Sequence, residues 1–280
     1  MGPDIPSRRR EQIALYVKES GAVRNEELAE RFGVSLMTIH RDLDALSNEG
    51  WLEKTRGGAR AGGLRLHERN VALRYRQNTA QKRAIARGVM SYLRPGMTIA
   101  MEDSTTTAAL LPYFRSLHPM TLITNFLPAI NAAAADPDID LVSLGGQYDR
   151  NLDSFDGPAV IDQLALLNAD VSILSAASVH KGWLLHPSPD TARRKKMLSE
   201  IGETRILMID SSKFDQRASY RVGSIDNFDV VVTDSGISDT HLEELQQLSP
   251  EISVVDVLPE DITAPPLLGL SNTYPVSQEN

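Results

Sequence analysis

From Pro95 onward the chain alternates short apolar runs with helical stretches, and this pattern constrains its architecture more than any other. Met97-Thr-Ile-Ala-Met101 precedes a helix predicted near Thr106–Phe114. Leu122–Asn125 precedes one near Pro128–Ala135, and Leu141–Leu144 precedes Gly145-Gly146. Val171–Leu174, Ile206–Ile209 and Val230–Thr233 continue the series. Such alternation predicts a largely parallel sheet with helices on its faces. In sheets of this kind ligands gather where strand carboxyl ends meet helix amino ends.

The first 60 residues follow a helical period instead. Ile13 and Leu15–Val17, followed by Gly21, predict a first amphipathic helix with its stop. A second helix is predicted over Asn25–Phe32, with Asn25 as N-cap and Gly33 as breaker. Ser35 is placed to cap a third helix whose Ile39, Leu43 and Leu46 face inward. That spacing turns Leu36, Met37, Thr38, His40, Arg41 and Asp44 outward. Two short helices joined by a tight Gly-containing turn form a helix-turn-helix, whose second helix enters the DNA major groove. Gly50–Gly58 then predicts a hairpin wing with Lys54 and Arg56 at its cationic tip, over backbone phosphates.

The net charge of −8 argues against a nucleic-acid partner until it is divided along the chain. Residues 1–87 hold 17 Lys/Arg against 11 Asp/Glu, while the other 193 hold 12 against 26. The basic portion is therefore the amino-terminal one. Apolar residues at 41% and charged ones at 24% fit a folded chain rather than a disordered one. The absence of cysteine excludes disulfides, thiolate zinc sites and a cysteine nucleophile. Neither a secretory leader behind Arg8-Arg-Arg10 nor an apolar run of membrane-spanning length is visible, so a cytoplasmic location is expected. Histidines 40, 67, 118, 180, 186 and 241 show no ligand-like spacing, and neither a metal nor a cofactor is expected.

The stretch Glu27-Leu-Ala-Glu-Arg-Phe-Gly-Val-Ser35 combines with Thr38-Ile-His-Arg-Asp-Leu43, Gly50-Trp-Leu52 and Arg56-Gly-Gly-Ala59. Together they resemble the DeoR family of bacterial transcriptional regulators. The resemblance extends through Lys82-Arg-Ala-Ile-Ala86 and Ser154-Phe-Asp-Gly157 to about Asp234. It implies an α/β architecture: a winged helix-turn-helix over residues 1–62, a connector over 63–90, and a larger α/β domain over 91–280. That larger domain would be similar to ribose-5-phosphate isomerase. The implied function is sequence-specific regulation, with repression of a carbohydrate-catabolism operon relieved by a phosphorylated sugar. Double-stranded operator DNA and a dimeric or tetrameric homo-oligomer are the implied partners.

Ser35, Leu36, Met37, Thr38, His40 and Arg41, with Lys54 and Arg56, are the DNA-facing candidates. The hydroxyl-rich turn after Met101 offers amides, hydroxyls and a helix start to one point, as an anion site or a simple capping run would. For the effector, the family pattern carries over to Asp103, Ser104, Thr106 and Thr107, with Asn125, Gly146 and Lys213. Arg194 in Arg193-Arg-Lys-Lys196 stands where the family often has Lys, in a run otherwise read as an exposed helix face. Two positions depart from the pattern. His40 stands for an arginine, with a weaker hold on phosphate and guanine. Thr105 stands for a glycine, beside the extra acid Glu102. The rival reading is an isomerase-like enzyme that retained catalysis on sugar phosphates, with Glu102 and Asp103 as candidate bases.

Overall fold

The computed structural model describes residues 5–48, 51–62, 71–214, 216–248 and 251–264. The chain divides into two compact units, Met1–Arg74 and Tyr75–Asn280.

In the first unit α1 (Ile5–Ser20), α2 (Asn25–Phe32) and α3 (Leu36–Asn48) surround a small antiparallel sheet. Its strands β1 (Ala22–Arg24), β2 (Leu52–Thr55) and β3 (Gly58–Ala61) pair in the order β1-β3-β2. The wing is thus a three-stranded sheet, since residues 22–24 add a strand that the hairpin pattern did not announce. Ile13, Val17, Leu28, Ile39, Leu43, Leu46 and Leu52 fill one core. Gly33 adopts φ 62, the left-handed conformation in which only glycine is unstrained, and its N–H closes α2. Ser35 Oγ accepts the Thr38 N–H at 3.2 Å, as the cap requires. Asn25 is not a cap. It is the first helical residue, and its N–H donates to the Gly57 carbonyl at 3.0 Å, tying α2 to the wing turn.

The second unit is built on seven parallel strands. In chain order they are β4 (Thr98–Met101), β5 (Met120–Thr124), β6 (Ile139–Ser143), β9 (Ala169–Leu174), β12 (Gly202–Met208), β14 (Val230–Asp234) and β15 (Glu251–Val255). Their order across the sheet is β15-β14-β12-β9-β4-β5-β6. Ile173-Leu174, Ile206-Leu207-Met208 and Val231-Val232 are buried at consecutive positions, so both faces of the sheet are covered. The chain winds from β4 outward to β6, then returns to the other side of β4 with β9. The loops after β4 and β9 therefore flank the switch point, where open α/β sheets bind ligands.

α4 (Val71–Arg76) spans the division between the units, and around the sheet lie α5 (Thr79–Val89), α6 (Leu127–Ala134), α7 (Pro158–Leu164), α8 (Pro189–Glu200), α9 (Asp239–Leu248) and α10 (Pro259–Thr263). The segment expected as a helix near Thr106–Phe114 is a 3-10 helix over Thr107–Leu117, with Pro112 inside it. Two pieces escaped the apolar pattern: the hairpin β7 (Gln147–Asp149) and β8 (Ser154–Asp156), and an antiparallel sheet of β10 (Ser178–His180), β11 (Trp183–His186) and β13 (Tyr220–Ser224). α5, read from sequence as part of a connector, packs on β14 and the 107–117 helix within the second unit. Arg87 grips Asp261 of α10 with both carboxylate oxygens at 2.8 and 2.7 Å. Residues 63–70 of the expected connector lie outside the described residues.

Candidate functional site

The first unit presents α3 as a reading helix. Ile39, Asp42, Leu43 and Leu46 point inward, while Leu36, Met37, His40, Arg41 and Asp44 stand exposed and Thr38 is half-buried beside its cap. Asp44 accepts from Lys54 of β2 at 2.5 Å, so part of the wing's positive charge is taken up by the helix it flanks. Arg56 lies exposed at the wing turn. Asp42 is the residue that sequence reasoning left without a role. It is buried, and Arg9 of α1 reaches it at 2.7 and 3.3 Å. That pair raises the Arg9 guanidinium above its ordinary value, chiefly through the Asp42 hydrogen bond. It fixes α3 against α1 and leaves the opposite stripe of α3 to solvent.

In the second unit the polar residues at the strand carboxyl ends gather along one edge of the sheet. Glu102 to Thr107, after β4, are all buried. Ser104 Oγ accepts the Thr107 N–H at 3.0 Å, and Thr107 Oγ1 donates to the Glu102 carbonyl at 2.9 Å. These two hydroxyls cap the loop's own backbone. Thr105 Oγ1 instead accepts from Lys82 Nζ of α5 at 3.0 Å. The side chain that replaces a glycine thus brings a lysine to the loop. Sequence reasoning quoted Lys82 only within a lead-in motif. The available signal was the Ala84-Ile-Ala86 stripe behind it, which buries α5 and carries Lys82 with it.

The two acids of this loop are paired with two consecutive cations of α8. Arg194 Nη2 lies 2.8 and 2.7 Å from the Asp103 oxygens, and Arg194 also pairs with Asp156 of β8. Lys195 pairs with Glu102, whose other oxygen accepts the Ser175 N–H at 2.6 Å. Burial alone would raise the Asp103 carboxyl, but Arg194, Lys195 and Ser154 outweigh it and hold it below the usual Asp range. For Glu102 burial prevails over Lys195, and the carboxyl lies above the usual Glu range. Arg194, with 1% of its surface exposed, is a structural cation. The run Arg193–Lys196 is half buried, contrary to the exposed face expected of it.

Lys213 remains buried near the edge, one residue after Ser212 and three after Asp210. Burial pushes Asp210 up, but Lys213, Ser212 and Lys82 together hold it below the usual Asp range. Both lysines therefore lie within electrostatic reach of one carboxylate. A parallel bridge between Val179 and Phe214 sets Ser178 beside the Lys213 segment. Asn125 Nδ2 donates to the Phe155 carbonyl at 2.8 Å. Asn125 Oδ1, Asp210 Oδ2 and Thr233 Oγ1 at the strand ends, and Ser178 Oγ at the start of β10, are buried without a hydrogen-bond partner. Buried polar atoms are rarely left so. Gly146 is required for packing, since a Cβ there would come within 2.5 Å of the Asp156 carbonyl. Thr106 is buried in the same loop.

At the other edge His118 meets Asp136 at 3.1 Å and Asp138 at 3.6 Å, a cluster that residue spacing did not reveal. Among the described residues no helix is long and apolar enough to cross a membrane.

A winged helix-turn-helix joined in one chain to an α/β unit with a polar site at its switch point defines a DNA-binding transcriptional regulator with a ligand-sensing unit. Residues 9–62 match the DeoR-like helix-turn-helix domain, and residues 77–235 match the DeoR C terminal sensor domain. The chain belongs to the DeoR family of transcriptional regulators. It is 30% identical over 244 residues to the lactose phosphotransferase system repressor of Lactococcus lactis subsp. lactis, covering 86% of this chain and 95% of that one. It is 28% identical to the glycerol-3-phosphate regulon repressor of Escherichia coli K12, over 90% of this chain and 95% of the relative. The L-fucose operon activator of Haemophilus influenzae is 28% identical, over 89% and 99% of the two chains. Among solved structures, ribose 5-phosphate isomerase A of Methanocaldococcus jannaschii aligns with 48% of this chain and 53% of its own at 15% identity, with a TM-score of 0.34.

Proposed function

We propose that the protein represses a carbohydrate-catabolism operon and is released from it by a phosphorylated sugar bound at the carboxyl edge of the seven-stranded sheet. The observation that carries this reading is the Lys82 ammonium on the Thr105 hydroxyl at 3.0 Å, with Lys213 buried three residues after Asp210. Lysine binds phosphate as a point charge, and a buried loop lined with hydroxyls and a lysine suits such a group. The unpartnered Asn125, Ser178, Asp210 and Thr233 oxygens suit the hydroxyls of a sugar. Asp103 and Arg194 form the floor beneath the loop rather than the contact itself. The regulated genes in the names of relatives, for glycerol 3-phosphate, lactose and L-fucose, support a sugar-derived effector.

We infer sensing without turnover, which the pairing of the loop's two acids supports. Sugar-phosphate isomerisation needs a base poised near neutral pH. Glu102 and Asp103 are committed to Lys195 and Arg194, and Asp210 is held low, which makes it a weak base. Coupling to the operator requires that effector affinity differ between the DNA-bound and free states, in the family's usual homo-oligomer. Thermal denaturation against a panel of sugar phosphates tests the reading. At 100 times its Kd, the true effector stabilises by about 2.7 kcal/mol, while the unphosphorylated sugar has no effect. A Lys213→Met variant should lose that response. Equal responses to phosphorylated and free sugars, or turnover of any of them, contradicts it.

A further inference from the structure

We propose that Leu36 and Met37 read thymine methyl groups, so that the operator carries a T·A pair beneath the first turn of α3. The proposal rests on the helix-turn-helix reading of α3. Leu36 is 44% exposed and Met37 64%, two large apolar side chains on the surface of a helix whose other large apolar residues, Ile39, Leu43 and Leu46, are buried. Single exposed apolar residues are ordinary, but this pair sits at the amino end of α3, where a reading helix reaches base edges. Ser35 caps that turn and holds its start in place. Met37, His40, Arg41 and Asp44 follow one another at helical spacing along a single stripe, and Lys54 fixes Asp44 at its far end. The stripe therefore runs from apolar to cationic.

In the major groove every base pair offers donors and acceptors, and the C5-methyl of thymine is the apolar feature among them. An apolar side chain placed there gains from covering that methyl and leaves polar edges unpaired at any other base. Arg41 supplies the partner contact, since a guanidinium bonds guanine through two acceptors. From Met37 to Arg41 the helix advances about 6 Å, roughly two base-pair steps of about 3.4 Å. The half-site implied has a T·A pair about two steps from a G·C pair.

The test uses the full chain and an operator duplex selected from random double-stranded DNA. Each thymine is replaced in turn by deoxyuridine, which deletes the methyl and keeps every hydrogen-bonding group. Binding is read by fluorescence anisotropy. At the thymine beneath α3 the substitution should weaken binding about fourfold, the equivalent of one buried methyl. That penalty should vanish in Met37→Ala or Leu36→Ala, whose salt dependence stays that of the parent because no phosphate contact is lost. Three results overturn the proposal while leaving sequence-specific binding intact: indifference to every deoxyuridine, the same penalty in both alanine variants, or a selected site without an A·T pair beneath the helix. Failure to select any preferred DNA overturns the helix-turn-helix reading and the proposal with it.

Discussion

At the scale of single residues, the pairing of Asp103 with Arg194 governs the site. A buried ion pair is weak evidence of net stability, but removing one partner strands the other charge. Asp156 still pairs with Arg194, so Asp103→Asn should lower unfolding free energy by about 1.5–3 kcal/mol, the worth of hydrogen bonds to a charged group, as measured by urea denaturation at neutral pH. A loss below 1 kcal/mol would show that Arg194 is solvated by other means. The sign of the pH effect is set by the depressed Asp103 and Asp210. Their contribution is present above the ordinary Asp range and lost as pH falls through their lower folded values. The raised Glu102 acts in the opposite sense, its share being present at low pH and lost as pH rises through its folded value. Acid titration of the Asp103→Asn variant should accordingly show a shallower loss of stability below about pH 4 than the parent. Arg194, an effector candidate by the family pattern, pairs in the structure with Asp103 and Asp156. The clue was the matching order of two acids, Glu102-Asp103, with two cations, Arg194-Lys195.

At the scale of elements, what could be read from the sequence depended on how each element is buried. Parallel strands covered on both faces appear as apolar runs, so β4, β5, β6, β9, β12 and β14 were visible and fell within a few residues of their observed bounds. β7, β8, β10 and β11 are only three or four residues long, too short for any period to register. In β15 burial reaches only partway along an edge strand, which dilutes the pattern. The helices of the first unit were legible because caps and breakers flank a regular stripe, Gly33 and Ser35 above all. Ser35→Ala should cost about 1 kcal/mol in thermal unfolding of the first unit. Ser35→Asp should restore it, because a carboxylate also suits the amino end of a helix. Equal stability of all three chains would mean that the cap contributes nothing. The Asp42–Arg9 pair had no sequence signal, since the two residues lie 33 positions apart and meet only once α1 crosses α3.

At the scale of the whole molecule, the two units divide the charge less sharply than residues 1–87 do. Met1–Arg74 holds 13 Lys/Arg against 11 Asp/Glu, and Tyr75–Asn280 holds 16 against 26. The positive excess of residues 1–87 belonged in part to Arg76, Lys82, Arg83 and Arg87, which lie in the second unit. With so small an excess, the proposed DNA contact rests on the placement of Arg41 and Arg56, both exposed, rather than on net charge. In the second unit Arg194 and Lys195 neutralise Asp103 and Glu102, and Lys82 and Lys213 hold the Asp210 carboxyl low. Identifying the sugar itself depends on the shape of the occupied site, which strand-end residue types do not encode.

The central claim, that operator and phosphorylated sugar compete for one regulator, is tested most directly by linkage. Operator affinity is measured by anisotropy across a range of sugar-phosphate concentrations, and affinity for the same sugar phosphate is measured with and without operator. The expected result is that one sugar phosphate weakens operator binding by some factor and the operator weakens sugar-phosphate binding by that same factor. Lys82→Met should retain the operator and lose the dependence. Operator affinity that no sugar phosphate alters, while each ligand still binds alone, would contradict the account.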